Sequence, residues 1–264
     1  VAFHWTHPMK REPVFGAANP PHGEWSLPKP TNTLHPNQPG IPMTSAHQQI
    51  LNTLAGKSSN KQAIYDNTVR HFESIKGILR GMAQAWGNEM QKRDPRVEIE
   101  YKDKNKFECS LKFSGDTLGL VMHTNIFTFD SQHFVHQSQR VKENSMRAYF
   151  GQIQLYNFLS DSFKYNRLQD GGQLLARIFV DGESHFFVDG KQQFGFLYNN
   201  LDQQILNDAE LEKILTLAIQ YSLNEDLMAP PYEEVSQVVL GQFLMEHSGA
   251  GLKTAKRLGF MGES

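Results

Sequence analysis

From Ile64 the apolar positions recur with a helical period, through Thr68, Phe72, Ile75, Leu79, Met82, Trp86 and Met90. This pattern predicts one long amphipathic helix, stopped by Asp94-Pro95. Gly77, Gly81 and Gly87 each weaken it by roughly 1 kcal/mol relative to alanine, so burial of its apolar stripe must hold it. Ahead of it, Ser45–Leu54 reads as a short helix ended by Gly56, and Ser59 with Gln62 has the spacing of a capping box. After Pro95 the period shortens. Val97–Tyr101, Phe107–Phe113, Leu118–Met122 and Ile126–Phe129 read as strands, with turns at Asp103–Lys106 and Ser114–Asp116. His133–His136 could add another strand, Arg140–Arg147 is ambiguous, and Gly151–Leu159 fits a strand or a helix end.

Val-Asp-Gly occurs twice, at Val180–Gly182 and Val188–Gly190. Asp-Gly favours a two-residue type I′ turn, so the pair predicts a three-strand meander over Leu174–Tyr198. Counting outward sets Ile178, His185 and Phe194 on one face and Arg177, Phe186 and Gln193 on the other. Asn207 and Glu210 then fit an N-cap and its N3 partner, opening a helix with Leu211, Ile214, Leu215, Ala218 and Leu223 inward. Pro230-Pro231 breaks the chain, Val235–Met245 could be a last strand or helix, and Gly249–Ser264 reads as a flexible tail. The expected fold is α+β: an antiparallel sheet with a β-meander, packed against a long N-terminal helix and a C-terminal helix.

Nine of the twelve prolines lie in the first 42 residues, with Trp5 and Trp25 and few aliphatic side chains. That density blocks helix and central strand, which makes 1–42 a flexible arm or sequence upstream of a native start at Met43. The expected domains are this arm, one α+β domain over 43–248 and the tail 249–264. The chain from Met43 is long enough to bury a core without a disulfide, and its single cysteine, Cys109, could form no internal one. No apolar run reaches the roughly 20 residues of a membrane span, and no secretory signal is evident. A net charge of −2 gives no general pull towards nucleic acid or lipid. Cytoplasmic location is the expectation.

The run Tyr156–Leu168, with Ala176–Val180 and Phe194–Asn199, resembles an uncharacterised family of hypothetical proteins from Bacteroidetes bacteria. The resemblance extends from about Met43 to Val239 and leaves the proline-rich arm outside. It implies a bacterial protein and Met43 as the start, and it transfers no activity.

Candidate chemistry is sparse. Glu100 and Lys102 have the Glu-x-Lys spacing of a metal-dependent nuclease, but alternating charge on an edge strand explains them more simply. His123, His133, His136 and His185 lack metalloprotease spacing, and His185 reads as a core histidine. Gly249, Gly251, Lys253 and Thr254 lack the scaffold of a phosphate loop. Cys109 reads as a buried strand residue. No metal or cofactor is implied. The richest segment is Asp161–Asp170, where Asp161, Lys164, Tyr165, Asn166, Arg167 and Asp170 stand between the apolar anchors Phe163 and Leu168. Such a mixture suits a binding loop, with Arg167 gripping a carboxylate or phosphate; the plainer reading pairs Arg167 with Asp161 or Asp170. The leading expectation is a non-enzymatic binding or adaptor module for a protein or a small polar or anionic ligand. A hydrolase-like enzyme assembled only in three dimensions is the alternative. A nucleic-acid contact through Lys164, Arg167, Arg177 and the basic tail is the weakest.

Overall fold

The computed structural model describes residues 43–191, 193–237 and 239–240. The arm 1–42, the tail 249–264 and most of the element expected at Val235–Met245 lie outside them. The domain is α+β. Helix α1 (Ser45–Thr53) passes through a π-helical turn (Leu54–Ser58) into α2 (Ser59–Arg93). Six strands follow: β1 (Ile99–Asn105), β2 (Glu108–Phe113), β3 (Asp116–Met122), β4 (Gly151–Leu159), β5 (Gln173–Val180) and β6 (Phe186–Gly190). They form one antiparallel sheet in sequence order. Between β3 and β4 lie a 3-10 turn (Phe134–Gln137), helix α3 (Gln139–Glu143) and a second 3-10 turn (Ser145–Ala148). Helix α4 (Ser160–Lys164) follows β4, and α5 (Gln193–Leu197), α6 (Asp208–Leu223) and α7 (Tyr232–Val235) follow β6.

The helical stripe does what its period requires. Ile64, Thr68, Phe72, Ile75, Leu79 and Met82 are buried. Helix α2 stops at Arg93, and Asp94 caps the turn by accepting from Arg96 N at 3.0 Å. Gly56 does not end a helix. Ser59 is no cap either, because its backbone is helical (φ −62°, ψ −40°) where an N-cap must be extended. One glycine costs about 1 kcal/mol, too little to break a chain with good helix formers on both sides, and a π turn absorbs the irregularity. At the far end Asn207 caps α6 as its position implies, accepting from Glu210 N at 3.0 Å. Leu211, Ile214, Leu215 and Ala218 are buried, but Leu223 is exposed in the last turn.

Helices α2 and α6 cover one sheet face. There Leu111, Leu118, Leu120, Ile153, Ile178 and Val188 join Phe72 and Leu79 in the main core. Cys109 is part of it, and burial pushes its thiol up to about 12. Phe150, Phe179 and Phe187 form a second cluster with Val135, Val141, Ala148 and Leu201, beneath the β3–β4 connection. The strand expected at Ile126–Phe129 reduces to one bridge between Phe127 and Phe150. His133–His136 lies in and beside a 3-10 turn, not a strand. Glu100 and Lys102 form an exposed ion pair at 3.1 Å on the edge strand β1.

The duplicated Asp-Gly does not build two type I′ turns. Neither Gly182 nor Gly190 has a left-handed φ; in the β5–β6 loop the left-handed residue is Ser184 (φ 66°). The β5–β6 loop is longer than two residues, because Asp181 Oδ1 accepts from both Glu183 N and His185 N at 2.8 Å. The longer loop shifts the register. Ile178 faces Val188, Val180 faces Phe186 and Arg177 faces Asp189, so His185 does not sit beside Ile178. Among the described residues no third strand follows. Gly190 packs so tightly that an added Cβ would meet Phe194 Cβ at 2.8 Å and Leu175 O at 2.9 Å. Phe194 and Gln193 belong to α5 instead. The outer edge of β6 is covered by irregular chain: Val188 N donates to Tyr198 O and Phe186 N to Gln204 O.

Candidate binding surface

The segment from Ser160 to Asp170 is a tight excursion between β4 and β5. Ser160 N donates to Gly115 O at 2.8 Å, and the Ser160 and Thr117 hydroxyls meet at 2.9 Å. Helix α4 makes one turn, with Tyr165 N donating to Asp161 O at 2.9 Å. Asn166 then takes a left-handed conformation (φ 51°), one that asparagine tolerates better than most residues. Arg167 N returns to Ser162 O at 2.8 Å and Asp170 N to Arg167 O at 3.1 Å. Gly172 lets the chain re-enter the sheet against Phe158, whose ring an added Cβ would strike at 2.1 Å.

This fold divides the six expected site residues into two groups. Arg167 and Asp170 turn inward, with side chains 7% and 2% exposed and Nε 3.0 Å from Oδ2. The Arg167 N–H points off the oxygen, so the contact is an ion pair without a well-aligned hydrogen bond. Ser162 Oγ donates to the same Asp170 oxygen at 2.6 Å. The pair is therefore an internal lock for the loop. Asp161, Lys164, Tyr165 and Asn166 are exposed. So are the two expected anchors: Phe163 is 47% exposed and Leu168 80%. With Arg167 taken inside, its neighbour Leu168 is turned out.

The outward side chains form a mixed aromatic and cationic surface. Phe163 meets Phe158 edge-on at 5.5 Å, and Phe158 leads on to Tyr156 at 6.2 Å. Lys104 Nζ lies 4.9 Å from the Phe163 ring centre and Lys164 Nζ 5.1 Å from that of Tyr165. The Tyr165 hydroxyl, then the Asp161 charge, hold the Lys164 ammonium above its ordinary range. Most cations near this face are already paired: Lys104 with Glu108 at 2.6 Å, Lys112 with Glu98 at 2.6 Å, and Arg177 with Asp189.

The four histidines do not converge. His123 packs on Phe127, His133 stacks on Phe129 at 4.1 Å, and His136 Nε2 lies 3.2 Å from Phe129 O. His185 Nδ1 instead meets Leu201 O at 2.9 Å. Among the described residues no three His, Cys, Asp or Glu side chains form a metal-holding group.

A second polar centre has no local signature in the chain, because its members are more than 100 residues apart. Asn67 and His71 on α2 grip the β5–β6 loop. Asn67 Nδ2 donates to Asp181 O at 2.7 Å, and His71 Nε2 lies 2.9 Å from Ser184 Oγ. Arg70 bonds Asn67 Oδ1 and reaches Ser184 Oγ at 3.3 Å. Burial, with the Arg70 charge, pushes His71 down to about 4 against the pull of Asp208. A neutral histidine on a serine hydroxyl is the contact that activates a nucleophile. Here Asn67 and Arg70 also crowd that hydroxyl, and Ser184 is buried. The neighbouring cleft, about 530 Å³, is lined by Arg70, His71, Ser74 and Leu206–Ala209, without Ser184. The arrangement works as a clamp between helix and hairpin.

No helix among the described residues is long and apolar enough to cross a membrane. Comparison with protein-family models, curated proteins and solved structures returns no match.

Proposed function

We propose that this domain is a protein-binding module whose contact surface is the outer side of the Asp161–Asp170 loop. One observation carries the reading: Phe163, Tyr165 and Leu168 stand 47%, 44% and 80% exposed on a loop whose backbone is locked from within. Apolar side chains presented on a preorganised loop lower the ordering cost of association. Lys164, resting on the Tyr165 ring, favours a partner segment with a carboxylate beside its own apolar side chains. Nucleic acid is disfavoured by charge pairing, since Arg167 is enclosed with Asp170 and the partly exposed Arg177 is paired with Asp189.

Random-peptide display on the full chain tests the reading. Selected peptides are expected to combine Asp or Glu with Leu or aromatic residues, and to bind the Tyr165→Ser/Leu168→Glu variant at least about tenfold more weakly, a loss of roughly 1.4 kcal/mol. Equal binding to chain and variant would remove the loop from the contact surface. Both positions are exposed, so unfolding should not confuse the result.

A further inference from the structure

Asn157 and Gln173 face each other directly across β4 and β5, at the neck from which the Asp161–Asp170 loop leaves the sheet. Asn157 is buried, and its Nδ2 donates to Asp116 Oδ1 at 3.1 Å. A carboxylate oxygen can only accept, so that contact fixes which end of the Asn157 amide is oxygen. Asn157 Oδ1 and both amide atoms of Gln173 are enclosed and have no hydrogen-bond partner among the described residues. Three orphaned amide atoms in one cross-strand pair are far from the rule that buried polar groups are satisfied.

We infer that ordered water is bound at this neck, accepting from Gln173 Nε2 and donating to Asn157 Oδ1 and Gln173 Oε1. The chemistry of the unpaired atoms selects the ligand. Two acceptors exclude an anion, and the Nε2 donor opposes a metal cation. A neutral molecule that donates and accepts in a small space fits all three, and water at buried polar sites makes about this number of bonds. The loop is then closed at its neck through solvent as well as through the Arg167–Asp170 lock. This inference is independent of the binding role.

A crystal structure of the full chain at better than about 2 Å tests it, since ordered buried waters are visible at that level. Solvent density within hydrogen-bond distance of Asn157 Oδ1 and the Gln173 carboxamide is expected. Gln173 Nε2 bonded directly to Asn157 Oδ1, with no solvent density, would overturn the inference. Thermal melting of Gln173→Leu gives a second reading. With water in place the variant strands Asn157 Oδ1, and its Tm should fall by several degrees. An unchanged or higher Tm would mean that the neck is dry, because leucine would then relieve two orphaned atoms.

Discussion

Arg167 shows how one side chain can be chemically suited to a ligand and yet spent on the fold. Its guanidinium and the Asp170 carboxylate are both enclosed, so removing either strands a buried charge. Arg167→Ala is expected to cost about 3 kcal/mol in urea unfolding, while Lys164→Ala, at the surface, should stay within about 0.5 kcal/mol. His71 gives a prediction in pH. Its folded value is about 4 against an ordinary 6.5, so the folded chain refuses a proton that the unfolded chain accepts. Its contribution is complete above pH 6.5 and is lost as pH falls towards 4, roughly 3 kcal/mol in all. Arg70 and Asp208 are the charges that face it. Burial raises Asp181, which works in the opposite sense on acidification. Comparing wild type with His71→Gln cancels that term, and the variant should show a flatter stability profile between pH 6.5 and 4. Parallel profiles would mean that His71 is not held neutral by the fold.

Among the elements, the β5–β6 hairpin is the most informative, because identical tripeptides bracket it and end differently. Gly182 is exposed, has no left-handed φ, and an added Cβ would meet only Ile64 Cγ1 at 3.3 Å. Gly190 has backbone and Phe194 Cβ within 3 Å of that position. Gly182→Ala should therefore change stability by less than about 0.5 kcal/mol, and Gly190→Ala should cost more than about 2 kcal/mol through overpacking. Chemical denaturation of the two variants separates them; equal effects would contradict the packing at Gly190. The periods of α2 and α6 were legible because a long amphipathic stripe is repeated many times. The hairpin was misread because an Asp-Gly pair is a local preference worth little against the Asp181 carboxylate, which organises a longer loop through two backbone N–H groups.

At the scale of the whole molecule, the two buried apolar clusters among the described residues are drawn from between Phe72 and Ile219, with Ile64 buried just ahead of them. Residues 1–42 hold nine of the twelve prolines and few aliphatic side chains to bury, so a chain begun at Met43 is expected to melt within about 2 °C of the full one, a shift that corresponds to well under 1 kcal/mol for a domain of this size. A fall of several degrees by calorimetry would show that residues 1–42 contribute to the fold. Both helices lie on one face of the sheet, and the β3–β4 connection covers part of the other over Phe179 and Phe187. Under the proposed binding role, the described outer-face residues beside the locked loop are the ones expected to meet a partner.

The sequence alone determined the two long helices, the capping of α6, most of the strands and the α+β class, because each is encoded by periodicity or by neighbours a few residues apart. It also marked Asp161–Asp170 as unusual. The pairing of Arg167 with Asp161 or Asp170 is the plainer reading of that segment, and the structure bears it out with Asp170; only the tertiary structure decided that both side chains are enclosed while Phe163 and Leu168 are left in solvent. The same holds for the clamp of Asn67 and His71 on Ser184, whose partners lie more than 100 residues apart. Burial and long-range pairing are properties of the packed chain, and no local pattern of residue types records them.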